Sequence, residues 1–246
     1  MYRQFFNPIL RIIHERLKPH CSGPGKCVEI TSTGKFRLLT GHIIDSPWIF
    51  VKPARFRRCN LWQFWEEMFP VVDGAPYIPS GCQACWKVVI RPANVYELFM
   101  LLGVLQASDL PSKCGVDYRR HTSQPYGGFV YCDDKEQAME YREFLRPMVE
   151  QQLSKATADK MIVKRGCTEF DQKLSSDQWT MTPAHKELER YLTDMFVPNG
   201  YEYHESEATI AFKLQDFIMH ANSFGDMSWK QVVGEDVKLS VQVVTY

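Results

Sequence analysis

Between residues 84 and 167 the chain alternates in a way that few folds accommodate. Ala84 to Arg91 is a short apolar run with β-branched residues, and reads as a strand. Asn94 followed by Glu97 forms a capping box, and Leu98, Leu101, Leu102 and Leu105 behind it share one helical face. Lys113 to Arg119 and Gly127 to Cys132 read as two further strands. Asp134 with Gln137 caps a second helix containing Met139, Tyr141, Phe144, Leu145 and Met148, and Lys160 to Cys167 closes the series as a fourth strand. Strand, helix, strand, strand, helix, strand is the order of a ferredoxin-like split βαβ sheet. The expected fold class is therefore α+β, with a ferredoxin-like βαββαβ antiparallel core extended at both ends.

Proline and glycine punctuate the stretch from Pro70 to Pro79, which marks a boundary. The expected organisation is an N-terminal extension over residues 1–79, the ferredoxin-like core over 80–170, and a C-terminal α/β extension over 171–246 packed on that core. In the first part, Asn7-Pro8 opens a helix with Ile9, Leu10, Ile13 and Leu17 on one face. Short strands are expected around Gly34 and Gly41, and Asn60 with Gln63 is expected to cap a helix rich in Trp and Phe. In the last part, Thr182-Pro183 starts a helix ending near Phe196; residues 201–221 read as a strand then a helix, and residues 237–245 as a final strand.

This topology sorts the cysteines. In a split βαβ sheet the starts of strands one and two share an edge with the ends of strands three and four. Cys82 and Cys85 start the first strand, Cys114 starts the second, Cys132 ends the third and Cys167 ends the fourth. All five are therefore candidate metal ligands. Eight cysteines in 246 residues are too few for a disulfide scaffold. Four strand ends span roughly 14 Å, and sulfur bonds of about 2.3 Å to a single ion do not reach across them without loops folding inward. An iron–sulfur cluster takes four thiolates and is larger, so it is the expected cofactor, with zinc as the alternative. Cys59 or the Cys21/Cys27 loop is a further source of a ligand. A redox pair at Cys82-x-x-Cys85 fits less well, because the pair precedes a strand rather than a helix N-terminus, and simple burial of the thiols is the remaining reading.

Lys+Arg and Asp+Glu balance at 29 each, so any anionic partner must use a local patch. Lys52, Arg55, Arg57 and Arg58 form one, and are the candidate handle for an anionic cofactor or nucleotide-type substrate, or for nucleic acid. Tyr126-Gly127-Gly128-Phe129-Val130-Tyr131 loosely resembles the aromatic third-strand motif of RNA-recognition domains. It lacks the leading basic residue, and Val88-Val89-Ile90 supplies no aromatic partner on the first strand.

Lesser candidates are His121 in a polar loop, the acidic group Glu202, His204, Glu205 and Glu207, and Cys167 behind the cations Lys164 and Arg165. Gly25-Lys26 lacks the earlier glycine of a phosphate-binding loop, since His20 occupies its place. No nucleophile elbow or dinucleotide-binding glycine pattern occurs. Arg3, Arg11, Glu15 and Arg16 interrupt the apolar N-terminus, and no apolar run reaches the roughly 18 residues of a membrane span, so a cytoplasmic chain without a membrane is expected. These readings point to a cysteine-ligated metalloprotein, iron–sulfur before zinc, in redox chemistry or in modifying an anionic nucleotide-type substrate. The alternative is a non-catalytic nucleic-acid-binding or interaction module whose cysteines are buried or bind structural zinc. Catalytic residues and oligomeric state are not assigned by the sequence.

Overall fold

The computed structural model describes residues 8–24, 26–39, 47–52, 56–117, 122, 124–197 and 205–234, with the side chains of 56–58 outside the described part. It is mixed α+β, built on a five-stranded sheet in which every neighbouring pair is antiparallel. Chain order begins with α1 (Pro8–Leu17), β1 (Val28–Ile30), β2 (Phe36–Leu38), β3 (Trp48–Phe50), α2 (Phe56–Met68), β4 (Val71–Val72), β5 (Ala75–Pro76) and α3 (Ser80–Gln83). It continues with β6 (Trp86–Ile90), α4 (Val95–Ser108), β7 (Ser112–Val116), β8 (Tyr126–Cys132), α5 (Lys135–Gln152), α6 (Lys155–Asp159) and β9 (Ile162–Arg165). α7 (Thr168–Asp171), α8 (Pro183–Met195), α9 (Glu207–Ser223) and α10 (Trp229–Val233) complete it.

Local chemistry accounts for the helix starts. The Asn94 side chain accepts from Glu97 N at 2.9 Å, while Glu97 Oε2 accepts from Ala93 N at 2.9 Å. Asp134 does the same for Gln137 N at 2.8 Å, and Gln137 reaches back to Asp133 N at 2.7 Å. At α8, Thr182 Oγ1 accepts from His185 N at 3.1 Å. Each cap satisfies donors that a helix leaves open and is worth about 1 kcal/mol. The Asn60–Gln63 pair does not start its helix: α2 begins a turn earlier, and Asn60 lies inside it.

The large sheet runs β3-β7-β8-β6-β9. Both β6 and β7 pair antiparallel with β8, so they share a direction, as a crossover through α4 requires. β3 adds an edge strand from the N-terminal region, a pairing that its three residues do not announce. One face of the sheet packs on α4, α5, α9 and α10 around Ile49, Val88, Ile90, Leu98, Leu101, Leu105, Val130, Leu145 and Phe217. Each of these buried side chains contributes roughly 1.5–3 kcal/mol. A second core joins α1, β1, β2, α2 and α8 through Ile13, Leu17, Val28, Phe64, Trp65, Leu188 and Leu192. On α5, Met139 and Phe144 are half exposed, so its buried stripe is Ala138, Leu145 and Val149 instead. The strand expected over 237–245 lies outside the described residues, and among those described no helix is long and apolar enough to cross a membrane.

Candidate functional site

Of the five candidate cysteines only Cys114 and Cys132 lie on strands, and alternation puts both on the helix-covered face of the sheet. Trp86, Val88 and Ile90 of β6 point to the helices, and Lys87 and Val89 to the other side. Across the register, Cys132 pairs with Trp86 and Cys114 with Gly128, which places both on the helix side. Each is 0 % exposed in the main core. Cys114 also stands level with Ile90 rather than Trp86, four residues along β8 from Cys132, or about 13 Å at roughly 3.3 Å per residue. The stagger of β7 thus removes Cys114 from the edge that the sequence suggested. Burial first, then the Glu205 carboxylate, pushes its thiol up to about 12.

Cys82, Cys85 and Cys167 do come together. Cys82 sits in the single turn of α3, and Cys85 N donates to Cys82 O at 3.3 Å as the chain enters β6. The β9–α7 turn is clamped onto that turn, with Gly166 N donating to Cys85 O at 2.7 Å. Gly166 has φ +59°, and a Cβ there would lie 2.3 Å from the Trp179 ring and 3.3 Å from Cys82 O. Only glycine fits that corner. Cys167 follows, and Lys87 Nζ donates to its sulfur at 3.3 Å.

The fourth thiol comes from α2. A Cβ on Gly81 would stand 2.1 Å from the Trp62 ring, so α2 is laid directly on α3. Trp62, Cys82, Cys167, Ile78, Phe170 and Trp179 form one apolar cluster. Cys59 is three residues before Trp62 and therefore on the same helical face. Burial pushes the Cys59 thiol up to about 12, with Cys167 and Cys85 adding like-charge repulsion and Lys87 and Lys113 opposing it. Cys82 is raised further, by burial and then by Cys167, Cys59 and Cys85. Tyr131, opposite Lys87 on β8, is raised by burial and by Cys59, Cys167 and Cys85. Four sulfurs from α2, α3 with its turn, and the β9–α7 corner therefore share one electrostatic neighbourhood.

Lys87 completes it. Burial alone would lower its basicity, but Cys167, Cys85 and Cys59 outweigh that and keep it raised. Cys59 was a secondary candidate in the sequence, and Lys87 was none. The legible signal was a lysine inside the otherwise apolar strand Trp86 to Ile90, which the sheet buries on both sides.

Other candidates fall elsewhere. Cys21 and Cys27 pack against the second core, where Cys27 Sγ is 3.4 Å from His20 Nδ1. Lys52 is held by Asp109, whose Oδ2 is 2.6 Å away and whose carbonyl is at 3.1 Å. Arg55, the side chains of Arg57 and Arg58, His121, Glu202 and His204 lie outside the described residues. Glu205 pairs with Lys213. Phe129 and Tyr131 are 7 % and 6 % exposed, which leaves no open stacking platform on β8. Among the described residues, no group of three His, Cys, Asp or Glu side chains is gathered so as to hold a metal ion. Comparison with protein-family models, curated proteins and solved structures returns no match.

Proposed function

We propose that Cys59, Cys82, Cys85 and Cys167 are the ligands of an iron–sulfur centre, and that the protein carries out redox chemistry there. The observation that carries this reading is Cys82 and Cys167 packed in one apolar cluster, with Cys85 hydrogen-bonded to the Cys82 turn and Lys87 donating to Cys167, and Cys59 electrostatically coupled to Cys85 and Cys167. Thiols buried together repel one another on ionisation, an arrangement that a cationic metal centre reverses. An iron–sulfur cluster spreads its four thiolates over two or four iron atoms, so its sulfurs stand farther apart than those around one zinc ion. When bound, such a cluster supplies one-electron exchange. The chain's own residues exclude water with Ile78, Phe170, Trp179 and Trp62, and donate a hydrogen bond at Cys167 from Lys87.

The finer fold reading belongs here as well. Order β7-β8-β6-β9, with helices after β6 and β8, supports a ferredoxin-like split βαβ core from about 80 to 170. The half-buried cations Lys113 and Arg91 lie over Trp48 and Phe129 on the sheet face that also carries Cys85. They support an anionic substrate, with this face as its handle in place of the Lys52 segment.

The test is anaerobic purification with iron, sulfide and zinc analysis. The expected protein is brown, with stoichiometric iron and acid-labile sulfide. Cys59→Ala and Cys167→Ala lose the colour, while Cys114→Ala and Cys132→Ala keep it. Zinc without iron moves the reading to a structural zinc site; a colourless protein without stoichiometric metal sinks both.

A further inference from the structure

Cys21 and Cys27 stand apart from the other thiols: both pack against the second core, where the chain passes from α1 to β1. Hydrogen bonds close that passage into a loop. Cys21 N donates to Lys18 O at 3.3 Å, ending the turn that continues α1, and Cys27 N donates to His20 O at 3.0 Å. Lys26 N donates to Gly23 O at 3.1 Å within the loop, and Leu39 N donates to Cys27 O at 2.6 Å, which ties its second end to the chain leaving β2. Cys27 is thus bonded to the residue directly before Cys21. Segments joined by such a bond run about 5.5 Å apart at Cα, and a disulfide asks for roughly 4.4–6.8 Å. Both cysteines are free and half-buried, so a small reagent has access to them. Cys27 Sγ also lies 3.4 Å from Nδ1 of His20, whose ring packs edge-on against Phe64. Burial, then Cys21, then Glu67 hold the Cys27 thiol above its ordinary range. It therefore stays protonated near neutral pH and needs a base before it can act as a nucleophile. His20 is the group in contact with it.

We propose that Cys21 and Cys27 are a thiol modification site, which a low-molecular-weight disulfide of the glutathione kind converts to an intramolecular disulfide, with His20 taking the proton from Cys27. The Cys27 sulfur attacks one sulfur of oxidised glutathione, forming a mixed disulfide and expelling the other half as a thiolate. The Cys21 sulfur then attacks the Cys27 sulfur and expels the second glutathione thiolate. The chain loses two electrons and two protons, and both leave in two molecules of reduced glutathione. Cys27 makes the first attack because it is the thiol with an imidazole beside it; Cys21, at the other end of the closed loop, resolves the adduct. The new bond fastens the end of α1 to β1, two elements that the second core already joins. Cys114 and Cys132, 0 % exposed in the main core, are the thiols that such a reagent does not reach in the folded chain.

The test incubates the folded full chain anaerobically with graded ratios of oxidised to reduced glutathione, alkylates the free thiols, and maps the products by tryptic digestion and mass spectrometry without reduction. Trypsin cuts after Arg16, Lys26 and Lys35, while Pro19 shields Lys18, so Cys21 and Cys27 fall on separate peptides, 17–26 and 27–35. The expected product is those two peptides joined, two hydrogens lighter than their sum, with Cys114 and Cys132 alkylated only after denaturation. Recovery of the two peptides separately alkylated at every ratio overturns the proposal, and so does a parent chain that stops with glutathione on Cys27. Cys21→Ser is expected to stop at that adduct, and an unmodified Cys27 in this variant overturns it as the attacking thiol. His20→Asn is expected to slow the reaction about tenfold or more; a rate equal to the parent's overturns the part given to His20.

Discussion

The ammonium of Lys213 stands 2.8 Å from Oε1 of Glu205, with the two side chains 5 % and 1 % exposed. The pair pins α9 to the edge strand β3, because Lys213 also donates to Trp48 O at 2.7 Å and Glu205 accepts from Phe50 N at 3.2 Å. Removing one partner leaves the other charge buried. Lys213→Ala is expected to cost about 3–5 kcal/mol in urea unfolding. The double variant Lys213→Met with Glu205→Leu is expected to cost less than the single, since no charge is stranded.

Gly81 is where α2 touches α3. An added Cβ would stand 2.1 Å from the Trp62 ring, which must then shift and carry its helix with it. Gly81→Ala is expected to destabilise the fold by about 1–3 kcal/mol. On the proposed iron–sulfur reading, iron content should fall alongside, as for Cys59→Ala, because Cys59 rides on the same helix face as Trp62. Iron analysis beside thermal unfolding checks this, and full occupancy in Gly81→Ala would detach Cys59 from the site.

Cys114 makes alkaline stability measurable. Its thiol ordinarily ionises at 9.0, and in the fold burial and Glu205 push it up to about 12. Above pH 9 the unfolded chain releases a proton that the folded chain keeps. The contribution is complete below that point and is lost as pH rises through the folded value. Urea unfolding from pH 9 to 12 should therefore fall less steeply for Cys114→Val than for the parent.

Asp226 ties the C-terminal region to the start of α4. It accepts from Tyr126 Oη at 2.6 Å, Val95 N at 2.7 Å and Ser228 N at 2.9 Å. Burial would raise its carboxyl, but these hydrogen bonds prevail and hold it below the ordinary 3.8. Stability from this group is present above that value and lost as pH falls through the folded one. Asp226→Ala is expected to cost about 2 kcal/mol at neutral pH. The gap to the parent should narrow in acid, and a constant gap would rule out the ionised carboxylate as its source.

The caps at Asn94, Asp134 and Thr182 were legible because each is a contact within four residues, made by side chains whose chemistry is specific to helix starts. The strands β6 to β9 were legible from short apolar runs. The faces were only partly so. Cys132 alternates with Tyr131 and keeps company with Val130, so its place in the core was already implied by a period of two. Weighing strand ends alone hid that, and grouped it with Cys82 and Cys85. Met139 and Phe144 were expected inside and stand outside, because where α5 meets the sheet decides which stripe is covered.

The amino-acid sequence by itself determined where most helices start and which short runs become strands, but it grouped Cys114 and Cys132 with Cys82, Cys85 and Cys167 at one sheet edge. Tertiary structure alone decided that β3 joins that sheet, that β7 is staggered so Cys114 leaves its edge, and that α2 brings Cys59 across through Trp62 and Gly81. It also decided that Lys87 is buried against a sulfur. The physical reason is range. Caps and alternation are settled by hydrogen bonds and side-chain directions a few residues apart, whereas register and helix docking are settled by the summed packing of side chains distant in the chain.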